Sequence, residues 1–182
     1  MRRSNTVLKS SSKLILRELE ISDVNKRYVS WLNDQEVNQF LESRFKVQNE
    51  DLVKSFVEST WNSELDFLFG IYIGNGKNHI GNIKIGPINL NHNSSSIGLM
   101  IGEKKQWGKG YATIAISLIS EFAFKELKLS KLTASCYSDN IGSKKAFEKS
   151  GFKVEGFLRE EVQSIDGRSG VWKLGCIKSD LF

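Results

Sequence analysis

The chain has 182 residues, 40% of them hydrophobic and 26% charged, with 15 glycines and a single proline. This is one domain's length with enough apolar material for a core, which excludes collagen-like, Pro-rich and disordered polyelectrolyte classes. Two isolated cysteines, Cys136 and Cys176, exclude a disulfide scaffold or a Cys-rich zinc module, and the net charge of +5 allows an anionic ligand.

No run approaches the ~18 apolar residues of a membrane span. The basic, serine-rich N-terminus lacks the apolar stretch of a secretory signal. The chain therefore reads as soluble and cytoplasmic, with a flexible arm over residues 1–13 and one domain over 14–182. Residues 14–19 predict the first strand. Ser22 then stands as an N-cap, with Val24, Tyr28, Trp31 and Leu32 at helical spacing and a further turn over 37–41. Asn49 or Glu50 opens a second helix with Leu52, Val53, Phe56, Val57 and Trp61 on its apolar face. Residues 67–73 are rich in β-formers and end at Asn75-Gly76, a hairpin signal; residues 80–88 follow as a strand. Residues 89–96 read as a loop and 97–101 as a strand.

A long helix is predicted over 112–127, a strand over 132–136, and a helix over 140–150 that Gly151 ends. Strands over 152–159 and 171–177 flank the Asp166-Gly167 turn. This order requires an α/β fold, a single domain with a mixed, mostly antiparallel sheet and flanking helices.

Between the strand at 97–101 and the long helix lies Trp107-Gly108-Lys109-Gly110-Tyr111-Ala112-Thr113. Glycines let successive N–H groups face one point, and the new helix adds its unbonded N–H groups and dipole there. That geometry suits phosphate. A Walker A motif does not fit, because five residues separate Gly102 from Gly108-Lys109 and Gly110 replaces Ser/Thr. The dinucleotide fingerprint does not fit either, since Thr113 stands where it needs glycine. Within 104–153, ten lysines face four acids, a surplus that suits a polyanionic ligand or a solvated surface equally well.

This turn, taken with Asn140-Ile141-Gly142-Ser143 through Gly151-Phe152, resembles the GCN5-related N-acetyltransferases. The likeness lies nearest the branch of ribosomal-protein-alanine, spermidine and amino-sugar acetyltransferases. It also draws on Leu16-Arg17, Trp31-Leu32-Asn33-Asp34 and Gly156-Phe157-Leu158-Arg159. The resemblance implies central strands that splay apart to admit acetyl-CoA, with no metal. Its pyrophosphate would lie on the N–H groups of Trp107, Gly108, Lys109, Gly110, Tyr111, Ala112 and Thr113. Its pantetheine arm would pair with Met100, Ile101 and Gly102, while Asn140, Ser143 and Phe147 would add contacts from the next helix.

An amine must lose a proton to attack a thioester, and the departing thiolate gains from an acid. The resemblance puts an oxyanion donor on a main-chain N–H near Ile101. The tyrosine acid common in the family is replaced by Phe147. Ser143 is the alternative acid, unless its role is to cap the helix. Glu103, Glu160 and Glu161 are the carboxylates that could act as base; Tyr137 and Asp139 could conduct a proton through water instead. Cys136 invites an acetyl-enzyme route, against which direct transfer needs no nucleophile. His79 and His92 fall near turns and form no pair with a carboxylate.

Residues 21–65 hold eight acids against five bases, a mild attraction for a cationic amine. A protein N-terminus or other small primary amine is the favoured acceptor. A nucleotide-linked amino sugar, its diphosphate held by Arg17 and Arg44, or a polyamine are the alternatives. Relatives also form edge-strand homodimers. A nucleic-acid module and a catalytically silent CoA-binding domain are the competing classes.

Overall fold

The protein's computed structural model describes residues 6–10 and 14–181. Among these residues run eight strands: β1 (Val7–Ser10), β2 (Leu14–Glu18), β3 (Phe67–Ile73), β4 (Asn78–Ile85), β5 (Ser94–Ile101), β6 (Lys131–Tyr137), β7 (Lys153–Ser164) and β8 (Gly167–Ile177). They form one sheet in the order β1-β2-β3-β4-β5-β6-β8-β7, in which only the β5–β6 pairing is parallel. The helices are α1 (Lys26–Asn33), α2 (Gln35–Asn38), α3 (Glu50–Asn62), α4 (Tyr111–Lys125) and α5 (Ile141–Lys149). The mixed, mostly antiparallel α/β sheet is as the sequence predicts.

Strand alternation sorts the sheet into two faces. On one, Leu16, Phe69, Ile71, Ile83, Ile85 and Ile97 pack against Ala115, Ile116, Ile119, Phe122 and Ala123 of α4. On the other, Leu19 and Leu68 pack against Val24, Tyr28, Trp31, Val37, Val53 and Val57 from the α1–α3 region. Among the described residues, no helix is long and apolar enough to cross a membrane.

The helix starts have local causes. Asn25 Oδ1 accepts the Tyr28 N–H at 3.0 Å, and Asn49 Oδ1 accepts the Leu52 N–H at 2.9 Å. Asn25 therefore replaces Ser22 as the first cap, because Ile21–Asp23 turns as a separate 3-10 segment. There the Arg17 guanidinium forks onto both Asp23 oxygens, at 2.6 and 3.0 Å. Burial alone pushes the Asp23 carboxyl up, but Arg17, the Glu20 N–H and the Tyr72 hydroxyl together hold it below its ordinary value.

Three boundaries correct the sequence reading. The expected arm contains a strand at Val7–Ser10, paired with β2; residues 1–5 and 11–13 lie outside the described residues. β5 begins at Ser94, inside the expected loop, since the three serines pair with β6 on one side and with the main chain of Asn89 and Gly86, beyond the end of β4, on the other. β7 runs on to Ser164 as an exposed edge strand, where pairing with β8 rather than burial holds it.

Candidate active site

The site starts where two neighbouring strands part. β5 pairs with β6 only through Ser94, Ser95 and Ser96, facing Lys131, Leu132 and Thr133; from Ile97 onward it pairs with β4 alone. Hydrogen bonds to β4 alternate along an antiparallel strand. Gly86 N–H donates to Ser96 O at 3.1 Å and Gly102 N–H to Ile80 O at 2.9 Å. The even-numbered residues between them therefore face β4. Main-chain groups of Ile97, Leu99 and Ile101 turn the other way, into the gap. This corrects the pantetheine set: Met100 and Gly102 are committed to β4, whereas Leu99 joins Ile101 as an open position. Gly102 has a packing duty as well, because a Cβ there would lie 2.1 Å from the Trp31 ring.

The gap leads to the glycine turn. Trp107 lies across its start, donating Nε1–H to Ile101 O at 2.7 Å. Gly108 and Gly110 adopt φ of 73° and 81°, left-handed values that favour glycine. A Cβ on either would meet nothing within 4 Å, so backbone conformation rather than crowding selects glycine, and the space before the turn is open. Gly110 is the N-cap of α4 and offers no side chain to cap it. The first helical bond runs from Ile114 N–H to Gly110 O at 3.1 Å. Among the described residues, the N–H groups of residues 108–113 have no acceptor. Such a cluster fits a pyrophosphate.

The lysine surplus is less concentrated than its sequence suggests. Lys104 holds Asp34 at 2.9 Å and Glu36 at 2.8 Å, Lys131 holds Glu155, and Lys153 holds Asp180 at 2.5 Å. Lys109 stays at the turn, bonded to Gln106 Oε1 at 3.1 Å.

Across the gap, Asn140 Oδ1 caps α5 by accepting the Ser143 N–H at 3.1 Å. The Ser143 hydroxyl lies 3.4 Å from Cys136 Sγ on β6, so its side chain is not spent on the helix backbone. Burial pushes the Cys136 thiol up, against the thiolate that a nucleophile needs. Phe147 is 2% exposed and meets Phe152 edge to face at 5.0 Å. It is a core residue, which corrects the cofactor contact expected of it.

A pocket of about 540 Å³ adjoins the gap, between the β4–β5 surface and α1 and α3. Tyr28, Leu32, Leu41, Val53, Phe56 and Leu68 form its apolar side; Ser43, Gln48, Asn82, Lys84, Ser96 and Ser135 form its polar side. Among the described residues, the lining holds no carboxylate. Neither Glu103 nor Glu161 stands in it. Glu160 and Glu161 are exposed on β7 within an irregular stretch of the β7–β8 pairing, and Glu160 O takes Arg168. Asp139 is exposed and accepts from Ser138 and Ser164. The Tyr137 hydroxyl donates to Glu42 Oε1 at 2.5 Å and accepts from Arg44 at 3.1 Å. Burial and the Glu42 bond raise its pKa, and the two bonds tie β6 to the Glu42–Phe45 turn. Arg44 also reaches Gln163 O.

Sequence reading missed the pocket because its walls come from segments far apart in the chain. It also missed His79, read as a turn residue but buried behind two lining residues of the pocket, Tyr28 and Asn82. His79 stacks on Tyr72 at 4.8 Å and meets Trp31 and Tyr28 edge-on. Burial lowers its pKa, so the ring is neutral.

Comparison with known proteins agrees with this architecture. The family model "Acetyltransferase (GNAT) domain" matches residues 13–153. The chain is similar to the probable N-acetyltransferase YjcK of Bacillus subtilis, 33% identical over 109 residues, which are 59% of this chain and 58% of that protein. A spermidine N(1)-acetyltransferase of Vibrio cholerae is 28% identical over 171 residues, with 87% of this chain and 88% of that protein covered. Among solved structures, a Vibrio cholerae spermidine N-acetyltransferase in complex with CoA and spermine superposes with a TM-score of 0.83 at 23% identity, covering 93% of this chain and 98% of that one. A Bacillus anthracis GNAT-family acetyltransferase gives 0.81 at 21%, covering 96% and 99%. With its sheet opened beside β5 and a glycine turn leading into α4, the chain belongs to the GNAT acetyltransferase family.

Proposed function

We propose that this chain moves the acetyl group of acetyl-CoA to a primary amine by direct attack in a ternary complex. The carrying observation is the half-open β5 edge running into the uncapped N–H groups of the glycine turn. Acetyl-CoA, when bound, supplies an acetyl thioester. Gly108, Lys109, Gly110, Tyr111, Ala112 and Thr113 would hold its pyrophosphate, whereas the Trp107 N–H, expected to join them, is spent on Lys104 O at 3.1 Å. Leu99 would pair with its pantetheine arm, and the Ile101 N–H would receive developing negative charge on the acetyl oxygen, its carbonyl being held by Trp107.

As the amine nitrogen bonds to the acetyl carbon, the carbon–sulfur bond breaks and the nitrogen loses a proton. Ser143 gives its hydroxyl proton to the departing sulfur and regains one from solvent. The proton from nitrogen goes to solvent, since no carboxylate lines the pocket. Glu103 and Glu161 are not assigned as bases. The protonated thiol of Cys136 argues against an acetyl-enzyme.

The acceptor is read as a protein N-terminus or another small primary amine. Against a polyamine, the pocket lacks carboxylates, and several acids of the 21–65 stretch are engaged: Asp23 by Arg17, Asp34 and Glu36 by Lys104, Glu42 by Tyr137 and Glu50 by Lys54. Against a nucleotide-linked sugar, Arg17 is held by Asp23, and Arg44 by Tyr137 and Gln163. Initial-rate kinetics with acetyl-CoA and a panel of primary amines tests the reading. Intersecting lines and an active Cys136→Ala variant are expected. Parallel lines with a trapped acetyl-enzyme would overturn direct transfer, and CoA binding without thiol release from any amine would make this a silent domain.

A further inference from the structure

His79 Nε2 lies 3.0 Å from Gly81 O and 2.8 Å from Asn82 Oδ1. A carbonyl oxygen only accepts, so Nε2 must carry the hydrogen. The Asn82 atom that faces the same hydrogen must then also be an acceptor. This fixes the amide: Oδ1 toward His79, and Nδ2 away from it. The imidazole cannot swing aside, because the rings of Tyr28, Trp31 and Tyr72 enclose it. The result is a rigid Asn82 side chain, 5% exposed, on the lining of the acceptor pocket. Among the described residues its Nδ2 is buried and has no hydrogen-bond partner. A buried donor left without an acceptor is unfavourable, and a ligand that supplies an oxygen relieves it.

The surroundings narrow the chemistry of that ligand. Lys84, among the described residues the one charged side chain in the lining, is held by Asp66 at 2.5 Å. Nothing in the lining would neutralise a second ammonium group, whereas an amide N–H bonds an uncharged oxygen at full strength. We propose that Asn82 Nδ2, aimed by His79, is the specificity contact of the acceptor pocket and receives a carbonyl or hydroxyl oxygen borne by the primary-amine substrate. The proposal rests on the acetyl-transfer reading of this pocket. It separates oxygen-bearing amines from polyamines, which have no oxygen to offer.

Asn82→Asp keeps the shape and the His79 bond but presents an anionic acceptor in place of the donor. The probes are an alanyl peptide amide, the methyl glycoside of a 4-amino-4,6-dideoxyhexose, and spermidine. Each is compared between wild type and variant, so that differences in amine pKa cancel. The expected result is a ~10- to 100-fold fall in kcat/KM for at least one oxygen-bearing amine, with spermidine unchanged or improved. Dependence of the peptide identifies a carbonyl; dependence of the glycoside identifies a hydroxyl. Calorimetric affinity for the same amine without CoA should fall by the same factor. That arm judges Asn82 even if no amine releases thiol, an outcome that would sink the acetyl-transfer reading instead. A wild-type preference for spermidine, or an equal loss for all three amines in a folded variant, overturns the proposal. Should Asn82→Asp fail to fold, Asn82→Ser is measured in its place against the same outcomes.

Discussion

Against α4 the sheet presents Leu16, Phe69, Ile71, Ile83 and Ile85, which meet Ala115, Ile116 and Ile119 in a continuous apolar layer. Against α1 and α3 the same strands present Leu68, Tyr72, His79 and Asn82, and between sheet and helices a pocket remains. The difference is one of completeness. Among the described residues both layers keep a buried polar atom without a partner, Ser120 Oγ on α4 and Asn82 Nδ2 on β4, but only the α1–α3 layer adds open volume that a closed core would eliminate. β5 shows a related contrast along its length: through Ser96 it is bonded to β6 on one edge and to Asn89 and Gly86 on the other, and beyond it to β4 alone.

The comparison breaks most visibly at Ile119. Ile119→Ala should cost about 2–5 kcal/mol of unfolding free energy without altering the acceptor KM of the folded fraction. Chemical denaturation and initial rates measure the two effects separately; a cost below ~1 kcal/mol would mean the α4 layer is loosely packed. Next in size is Gly110→Asp. Like charges ~4 Å apart near a surface repel by roughly 4 kcal/mol, so CoA affinity should fall ~10²-fold or more in calorimetry while the fold is retained. Unchanged affinity in a folded variant would remove the glycine turn from the cofactor site.

Ser143→Ala should slow single-turnover acetyl transfer by ~10²-fold if its proton reaches the sulfur. A negligible change would leave Ser143 as a partner of Cys136 only. Asp23→Asn removes the carboxylate that Arg17 and Tyr72 share and should destabilise by about 1–2 kcal/mol. Since the folded pKa of Asp23 is lowered, its contribution is present above the unfolded value near ~4 and is lost as pH falls through the folded one. Urea midpoints measured from pH 7 to pH 3 should therefore decline less in the variant than in wild type. The smallest stability effect belongs to Phe56, which is 46% exposed although it lines the pocket. Phe56→Ala should move stability by no more than ~0.5 kcal/mol but raise the acceptor KM several-fold. Together with Ile119→Ala it separates the two layers.

Legibility followed the same division. β3 spans residues 67–73, as its β-forming run predicts, and α4 and α5 lie where apolar spacing and Asn140 put them. Local pattern decides such elements. The glycine turn was legible too, because its chemistry lies in contiguous backbone. By contrast, Ser94, Ser95 and Ser96 look like a loop and become strand only through β6 on one side and Asn89 and Gly86 on the other. His79 and Asn82 gain their roles from Tyr28, Trp31 and Tyr72, residues on other elements that no local window joins to them. Glu103 and Glu161 resembled bases by charge alone, and charge does not say which side chains share a pocket.

The central claim is that the opened β5 edge and the glycine turn form one acetyl-CoA seat. Titrating CoA into isotope-labelled protein and following backbone amide resonances tests it directly. The account predicts that the largest shifts fall on Leu99, Ile101 and the N–H groups of residues 108–112, with Gly98 and Met100, bonded to β4, shifting less. Shifts concentrated elsewhere, with residues 108–112 unmoved at saturation, would contradict it.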